Sequence, residues 1–210
     1  MCYCESRFKD IDFLMSTSLR YRYILFHKPY GVLSQFTAPV DRKCLRDFGP
    51  FPADVYPVGR LDADSEGLLL LTNNNRVKHR LANPAFAHSK TYLIQVEGIP
   101  DDDALQRLRD GIRIGGRMTR KAGVERCKDE PEREGRSVPI RFRKTVPTSW
   151  LEMTIHEGRN RQVRKMSAAV GHPTLRLVRV RIGFLSLTGL RQGEFRDLTS
   201  VERRRLLSEL

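Results

Sequence analysis

VGRLDADSEGLLLLTN, residues 58–73, runs three carboxylates, Asp62, Asp64 and Glu66, directly into four leucines. The leucines at 68–71 are unbroken, few and followed by Asn73, Asn74 and Asn75, a pattern that suits a strand buried on both faces better than an exposed amphipathic one. The acidic loop therefore leads into the core.

On either side the chain alternates strands and helices. YRYILFHKPYG (21–31) reads as a strand of aromatic and aliphatic residues closed by Pro29 and Gly31. Pro50, Pro52 and Pro57 bracket the entry to the acidic loop, and residues 75–83 fit a short basic helix stopped before Pro84. Residues 91–96 alternate as a strand. IPDDDALQRLRDG, beginning at Ile99, predicts a helix whose first turn carries Asp101, Asp102 and Asp103, favourable at the positive end of the helix dipole, and which stops at Gly111. Residues 128–147 are dense in charge and proline and read as a loop or lobe connection. A strand resumes at 150–155. A helix is expected from about Asn160 to Val170, with Val163, Met166 and Val170 on its buried face and Arg161, Arg164 and Lys165 together on another. Residues 175–187 alternate as a strand, and a strand and helix close the chain.

With 210 residues and 40% hydrophobic composition, one main domain is expected, at 20–210, after a flexible extension at 1–19 that contains a second methionine, Met15, as an alternative start. The formal net charge of +13 favours polyanions, nucleic acid first and anionic membrane second. No apolar run reaches the roughly 18–20 residues of a membrane span, and the N-terminus lacks a signal peptide's apolar core, so a cytoplasmic protein is expected. Cys2, Cys4, Cys44 and Cys127 are scattered and read as free thiols rather than a zinc site. Between Glu157 and Glu194 stand eight Lys or Arg residues and no acid. A solvated face accounts for any one of them, but the group reads as a phosphate-binding patch.

Three readings fit the carboxylates. They are turn residues that keep a tight loop wet, the plain account of Asp64 and Glu66 individually. They are a magnesium site, since alternate residues of an extended backbone share a face and hard oxygen ligands suit Mg²⁺, which in a basic protein suggests a nuclease. Or one ionised Asp, its pKa lowered by about 1–3 units beside an arginine, acts as nucleophile or base.

The third arrangement is also that of a known family. GRLDADSEGLLLLTN (59–73) resembles the signature loop of the ribosomal RNA pseudouridine synthases, a group that includes the A-type enzymes of small-subunit RNA and the B-, E- and F-type enzymes of large-subunit RNA. HKPYGVL (27–33), KTYLIQVEG (90–98) and EGRNRQVRKM (157–166) are similar to the family's lysine-proline, tyrosine and arginine segments, in the family's order, and the E-type members are nearest. The resemblance implies an α+β fold: a mixed, mostly antiparallel sheet in two lobes around a central cleft, with flanking helices. It implies a catalytic set of Asp62 as essential carboxylate, Arg164 as its ion-pair partner and Tyr92 as the ring that packs on uracil, with Arg60 filling the space of the flipped base. Lys90, Arg159, Arg161, Lys165, Arg176 and Arg179 join Arg60 as the expected RNA-binding residues. The implied reaction isomerises uridine to pseudouridine in large-subunit ribosomal RNA, 23S, with no cofactor or metal, by a monomer. The small RNA-binding domain that opens many relatives has no counterpart here, which leaves recognition to the catalytic domain. A magnesium nuclease and a non-catalytic ribosomal RNA assembly factor stand as the rivals.

Overall fold

The computed structural model describes residues 21–132, 134–140 and 145–210; the extension read at 1–19 lies outside them. Among the described residues four α-helices and a mixed sheet make an α+β fold, as expected. The main strands are β1 (Tyr23–Lys28), β3 (Glu66–Thr72), β4 (Lys90–Glu97), β7 (Gly123–Arg126), β8 (Thr148–Ile155), β9 (Thr174–Ile182) and β11 (Phe195–Asp197). They lie in the order β11-β1-β3-β9-β4-β8-β7, with the short β2 (Tyr56–Pro57) on β3 and β10 (Leu185–Ser186) on β9. A separate hairpin joins β5 (Arg113–Ile114) to β6 (Arg117–Met118).

All neighbours in this sheet are antiparallel except β3 and β9, which pair in parallel over two residue pairs, Glu66 with Val178 and Gly67 with Arg179. That junction divides the sheet into halves. On one side β1 and β3 pair over six residues; on the other β4 and β8 pair over eight. Gly67 makes the junction possible: its φ is +107°, and a Cβ there would stand 2.3 Å from the carbonyl oxygen of Arg179.

The leucines at 68–71 are each 0% exposed. Leu68 and Leu70 pack with Tyr23, Val77, Val178 and Leu206, whereas Leu69 and Leu71 pack with Phe26, Leu45 and Val55 on the other face. The strand is buried on both sides because its β1 and β9 neighbours satisfy its backbone while helices and loops cover its two faces. Fully burying one such side chain contributes about 1.5–3 kcal/mol, so this strand anchors the loop before it.

The helices follow their local signals. α1 (Asn75–Ala82) is capped by the Asn74 side chain, which accepts from the backbone N–H of Arg76 and Val77. α2 (Asp102–Asp110) is capped by Asp101 and ends at Gly111, with φ +105°. α4 (Ser200–Ser208) carries a reciprocal cap between Thr199 and Glu202. α3 (Gln162–Ala169) departs from expectation, starting two residues later than its apolar spacing suggests, because Arg161 takes a left-handed conformation at φ 51°, ψ 34°. The described residues of 128–147 hold no strand or helix, as the proline and charge there suggested.

Gly67→Ala adds a Cβ that the Arg179 backbone cannot accommodate and a φ that costs about 1–3 kcal/mol by itself. Chemical denaturation of this variant should show a loss of stability above that range, whereas a loss of less than about 1 kcal/mol would mean that the β3–β9 contact is not a tight constraint.

Candidate active site

The loop at 61–65 is held from three directions. A tight turn closes it, with Ser65 N–H donating to the Asp62 carbonyl at 3.0 Å. From the segment after β1, Ser34 donates its hydroxyl to the Leu61 carbonyl at 2.7 Å and accepts the Leu61 N–H at 3.1 Å, while Gly31 N–H donates to the Ala63 carbonyl at 2.7 Å. Lys28 lies beneath, 0% exposed, donating to the carbonyls of Pro29 at 2.8 Å and Val32 at 2.7 Å, and over a longer 3.5 Å to Ala63. Burial pushes the Lys28 ammonium down to about 7, against the pull of Glu66, Asp64 and Asp62. A buried lysine on backbone carbonyls is a structural clamp that hydrophobic patterning cannot reveal; the only hint was a lysine at the end of an apolar strand.

The third hold comes from α3. Arg161, just before its first turn, donates to both Asp64 oxygens, Nη1 to Oδ1 at 3.1 Å and Nη2 to Oδ2 at 2.8 Å, and reaches Asp62 Oδ2 at 3.5 Å. Its left-handed backbone is a strained conformation of the kind that concentrates at functional sites. Arg164 spans two backbone carbonyls, Asp64 at 2.7 Å and Thr174 at 3.1 Å. Its Nε stands 3.5 Å from Asp64 Oδ2, outside hydrogen-bond geometry, and has no hydrogen-bond partner. The expected Asp62–Arg164 ion pair is therefore replaced: Arg161 makes the contact with Asp62, and Arg164 braces the loop's backbone. The late start of α3 is the cause, since it leaves Arg161 outside the helix and opposite the two carboxylates. Burial raises the Asp64 carboxyl, but the Arg161 hydrogen bonds and the Arg164 charge outweigh it and hold the group below its ordinary value. Burial in turn lowers Arg164.

These groups border a cleft of about 330 Å³, lined among others by Arg60, Asp62, Lys90, Tyr92, Arg161 and Arg164, a volume at the small end of the roughly 300–1,000 Å³ typical of ligand sites. Asp62 stays accessible, its side chain 42% exposed, while Tyr92 is 7% exposed and set in the cleft wall. Lys90 and Tyr92 are two apart on β4 and line the same wall. The pairing of β4 with β9 shifts register between Thr91 and Tyr92, so that Val180 is an extra residue on β9; bulges of this kind re-aim side chains beside sites. A flat ring against Tyr92 and a carboxylate open to solvent make the cleft suitable for a planar heterocycle with a reactive centre beside Asp62.

The other expected residues scatter. Arg176 does not face the cleft: it is 8% exposed and makes a two-pronged pair with Glu66, at 3.0 and 2.8 Å, and also donates to the Glu134 carbonyl. Glu66, 1% exposed, is thus a buried strand residue, and the reading of it as a wet turn residue is overturned. Arg179 is 3% exposed, lines the cleft and donates its Nε to the Leu68 carbonyl. Arg159 is bonded to Glu157 and to the carbonyl of Arg117. Lys165 is exposed and donates to Asn160. The acid-free stretch is therefore not one surface, since Arg159, Arg161, Arg176 and Arg181 pair with acids outside it and Arg164 and Arg179 donate to carbonyls outside it. The magnesium reading fails on the same ground, because Glu66 is turned away from Asp62 and Asp64 and committed to Arg176. Among the described residues no cluster of three or more His, Cys, Asp or Glu could hold a metal ion, and no helix is long and apolar enough to cross a membrane.

Known proteins resemble this chain in sequence and fold. The model of the RNA pseudouridylate synthase family matches residues 22–169. The ribosomal large subunit pseudouridine synthase E of Xanthomonas campestris is 53% identical over 175 residues, covering 82% of this chain and 93% of that protein. Its counterpart from Vibrio vulnificus is 48% identical over 84% of this chain and 74% of its own length. A crystal structure of a pseudouridylate synthase superposes with a TM-score of 0.73 at 29% identity, covering 89% of this chain and 74% of that one.

The two kinds of arginine contact should separate in stability. Glu66→Gln strands a buried guanidinium and should cost about 3–5 kcal/mol, whereas Arg161→Met removes a pair that is more than a third exposed and should cost about 0–1 kcal/mol. Equal losses in urea titrations of the two variants would contradict the assignment of Glu66–Arg176 to the core and Arg161 to the site.

Proposed function

This chain belongs to the RNA pseudouridylate synthase family, and we propose that it isomerises a specific uridine to pseudouridine in the 23S RNA of the large ribosomal subunit. The observation that carries this reading is the cleft that gathers Asp62, Tyr92 and Arg60 on one hollow, in a chain 53% identical to a ribosomal large subunit pseudouridine synthase E.

In folded RNA a uridine hides its glycosidic bond, so the nucleotide swings out first, at a cost of a few kcal/mol. Arg60, exposed on the rim, fills the gap left in the strand. Tyr92 stacks on the extruded ring, an interaction worth about 1–3 kcal/mol per base. Asp62 then acts, as nucleophile or base, while the N1–C1′ bond breaks and a C5–C1′ bond forms. A proton leaves C5 and one is gained at N1, so the product is an isomer and neither water nor an acceptor is consumed.

The arginines divide the work. Arg161 keeps negative charge at the loop by binding Asp64 and touching Asp62, and Arg164 fixes the loop's position through the Asp64 carbonyl. The working unit is a monomer acting in the cytoplasm, where ribosomal RNA is available. A three-carboxylate nuclease finds no support in a Glu66 that is bound to Arg176.

Pseudouridine mapping of large-subunit ribosomal RNA from cells lacking the chain should lose a modification that the wild-type chain restores. Asp62→Asn, nearly isosteric, should bind the RNA yet turn over at least about 10²–10⁴-fold more slowly. Arg164→Lys keeps the charge but cannot span both carbonyls, and should lower turnover with unchanged RNA affinity. A restored modification with Asp62→Asn would remove Asp62 from its role.

A further inference from the structure

The cleft wall opposite the acidic loop carries two cations that have no acid to answer them. Lys90 is half-buried, and burial, together with the neighbouring Arg179 charge, lowers its ammonium. Arg179 is 3% exposed, spends its Nε on the Leu68 carbonyl, and leaves Nη2 buried without a hydrogen-bond partner. Neither makes an ion pair among the described residues, whereas Arg159, Arg161, Arg176 and Arg181 of the same basic stretch each have a carboxylate. A buried donor without a partner costs about 1–3 kcal/mol, more when it is charged, and like charges side by side add to that cost. One buried unpartnered guanidinium donor beside a half-buried ammonium, both lining an open cleft, describe a site prepared for an anion.

The substrate offers two candidates. The uracil ring is neutral until its bond to the sugar breaks, so it carries no charge at the moment of binding. The phosphodiester beside each nucleotide is anionic throughout, and Lys and Arg are its usual partners. Lys90 stands two residues from Tyr92 on the same strand, and Tyr92 is paired with Arg179 across β4 and β9. A nucleotide whose base lies on Tyr92 therefore brings its own backbone alongside this pair.

We propose that Lys90, backed by the buried Arg179, is a phosphate subsite that grips the backbone of the flipped nucleotide and holds it in register with Asp62. This rests on the assignment of the cleft to an extruded uridine. The basic stretch contributes Arg179 to this subsite, and β4 contributes Lys90. Lys90 is a binding and positioning residue, and it takes no part in moving the C5 proton.

The test uses the full chain and an unmodified large-subunit ribosomal RNA transcript. Affinity is measured over a range of salt concentrations, and turnover is read at saturating RNA as tritium released from 5-tritiated uridine. Removing one phosphate contact should make the slope of log affinity against log salt shallower by about 0.7–0.9. Lys90→Met should show that change together with a fall in kcat, because the nucleotide is no longer held in register with Asp62; Lys90→Arg should restore both, and Lys90→Gln, which keeps a polar tip in the half-buried site, should behave as Lys90→Met. A slope unchanged in both Lys90→Met and Lys90→Gln would overturn the proposal. So would a large fall in kcat at an unchanged slope, which would make Lys90 part of the chemistry. Absence of tritium release from the wild-type chain would count against the isomerase reading alone, since the salt slope reads the phosphate contact independently.

Discussion

The guanidinium of Arg164, bonded to the carbonyls of Asp64 and Thr174, ties together two halves of a sheet that β3 and β9 join by only two residue pairs. Asp64 precedes β3 and Thr174 opens β9, so one side chain spans both sides of the junction. The planar guanidinium places one Nη on each carbonyl. The arginine is itself 14% exposed; burial lowers its pKa, and the neighbouring Asp64 and Asp62 charges oppose that shift. Arg164 lines the cleft beside this short strand contact.

That constraint settles how the three carboxylates differ. Glu66 is the first residue of a buried strand and is neutralised by Arg176 inside the core. Asp64 holds Arg161 with both oxygens and keeps it at the mouth of the loop. Asp62, at 3.5 Å from the same guanidinium, feels its charge without being locked by it and remains open to the cleft. One sequence pattern, an acid at every second position, thus becomes core pair, tether and exposed cleft carboxylate, in order of distance from the strand. The account of function needs only the last of these to face a nucleotide.

Much of this was legible in the sequence. The leucine run announced a doubly buried strand, Pro84 marked the end of α1, and the aspartates at 101–103 with Gly111 marked the ends of α2, because those signals act within a few residues. The motif at 59–73 identified the loop, and its order relative to 90–98 and 157–166 identified the family. What could not be read was partnership across the fold. Arg176 and Arg179 look like surface cations in a strand that alternates with valine and leucine, and only the register of β9 against β3 shows that Arg176 meets Glu66. Arg161 and Arg164 stand three residues apart, and the contact with Asp62 expected of Arg164 falls to Arg161 because of a single left-handed residue that no propensity foresees. Lys28 reads as the end of a strand, yet it is a buried clamp on backbone carbonyls.

The central claim is geometric: a loop locked by arginines presents one free carboxylate to a nucleotide drawn out of its helix. A crystal structure of the Asp62→Asn chain bound to an RNA fragment carrying the target uridine tests it most directly. The account predicts the pyrimidine unstacked from the RNA and lying on Tyr92, its glycosidic bond facing residue 62, with Arg161 and Arg164 still on Asp64. A uridine left stacked in the RNA, or bound away from this cleft, would contradict it.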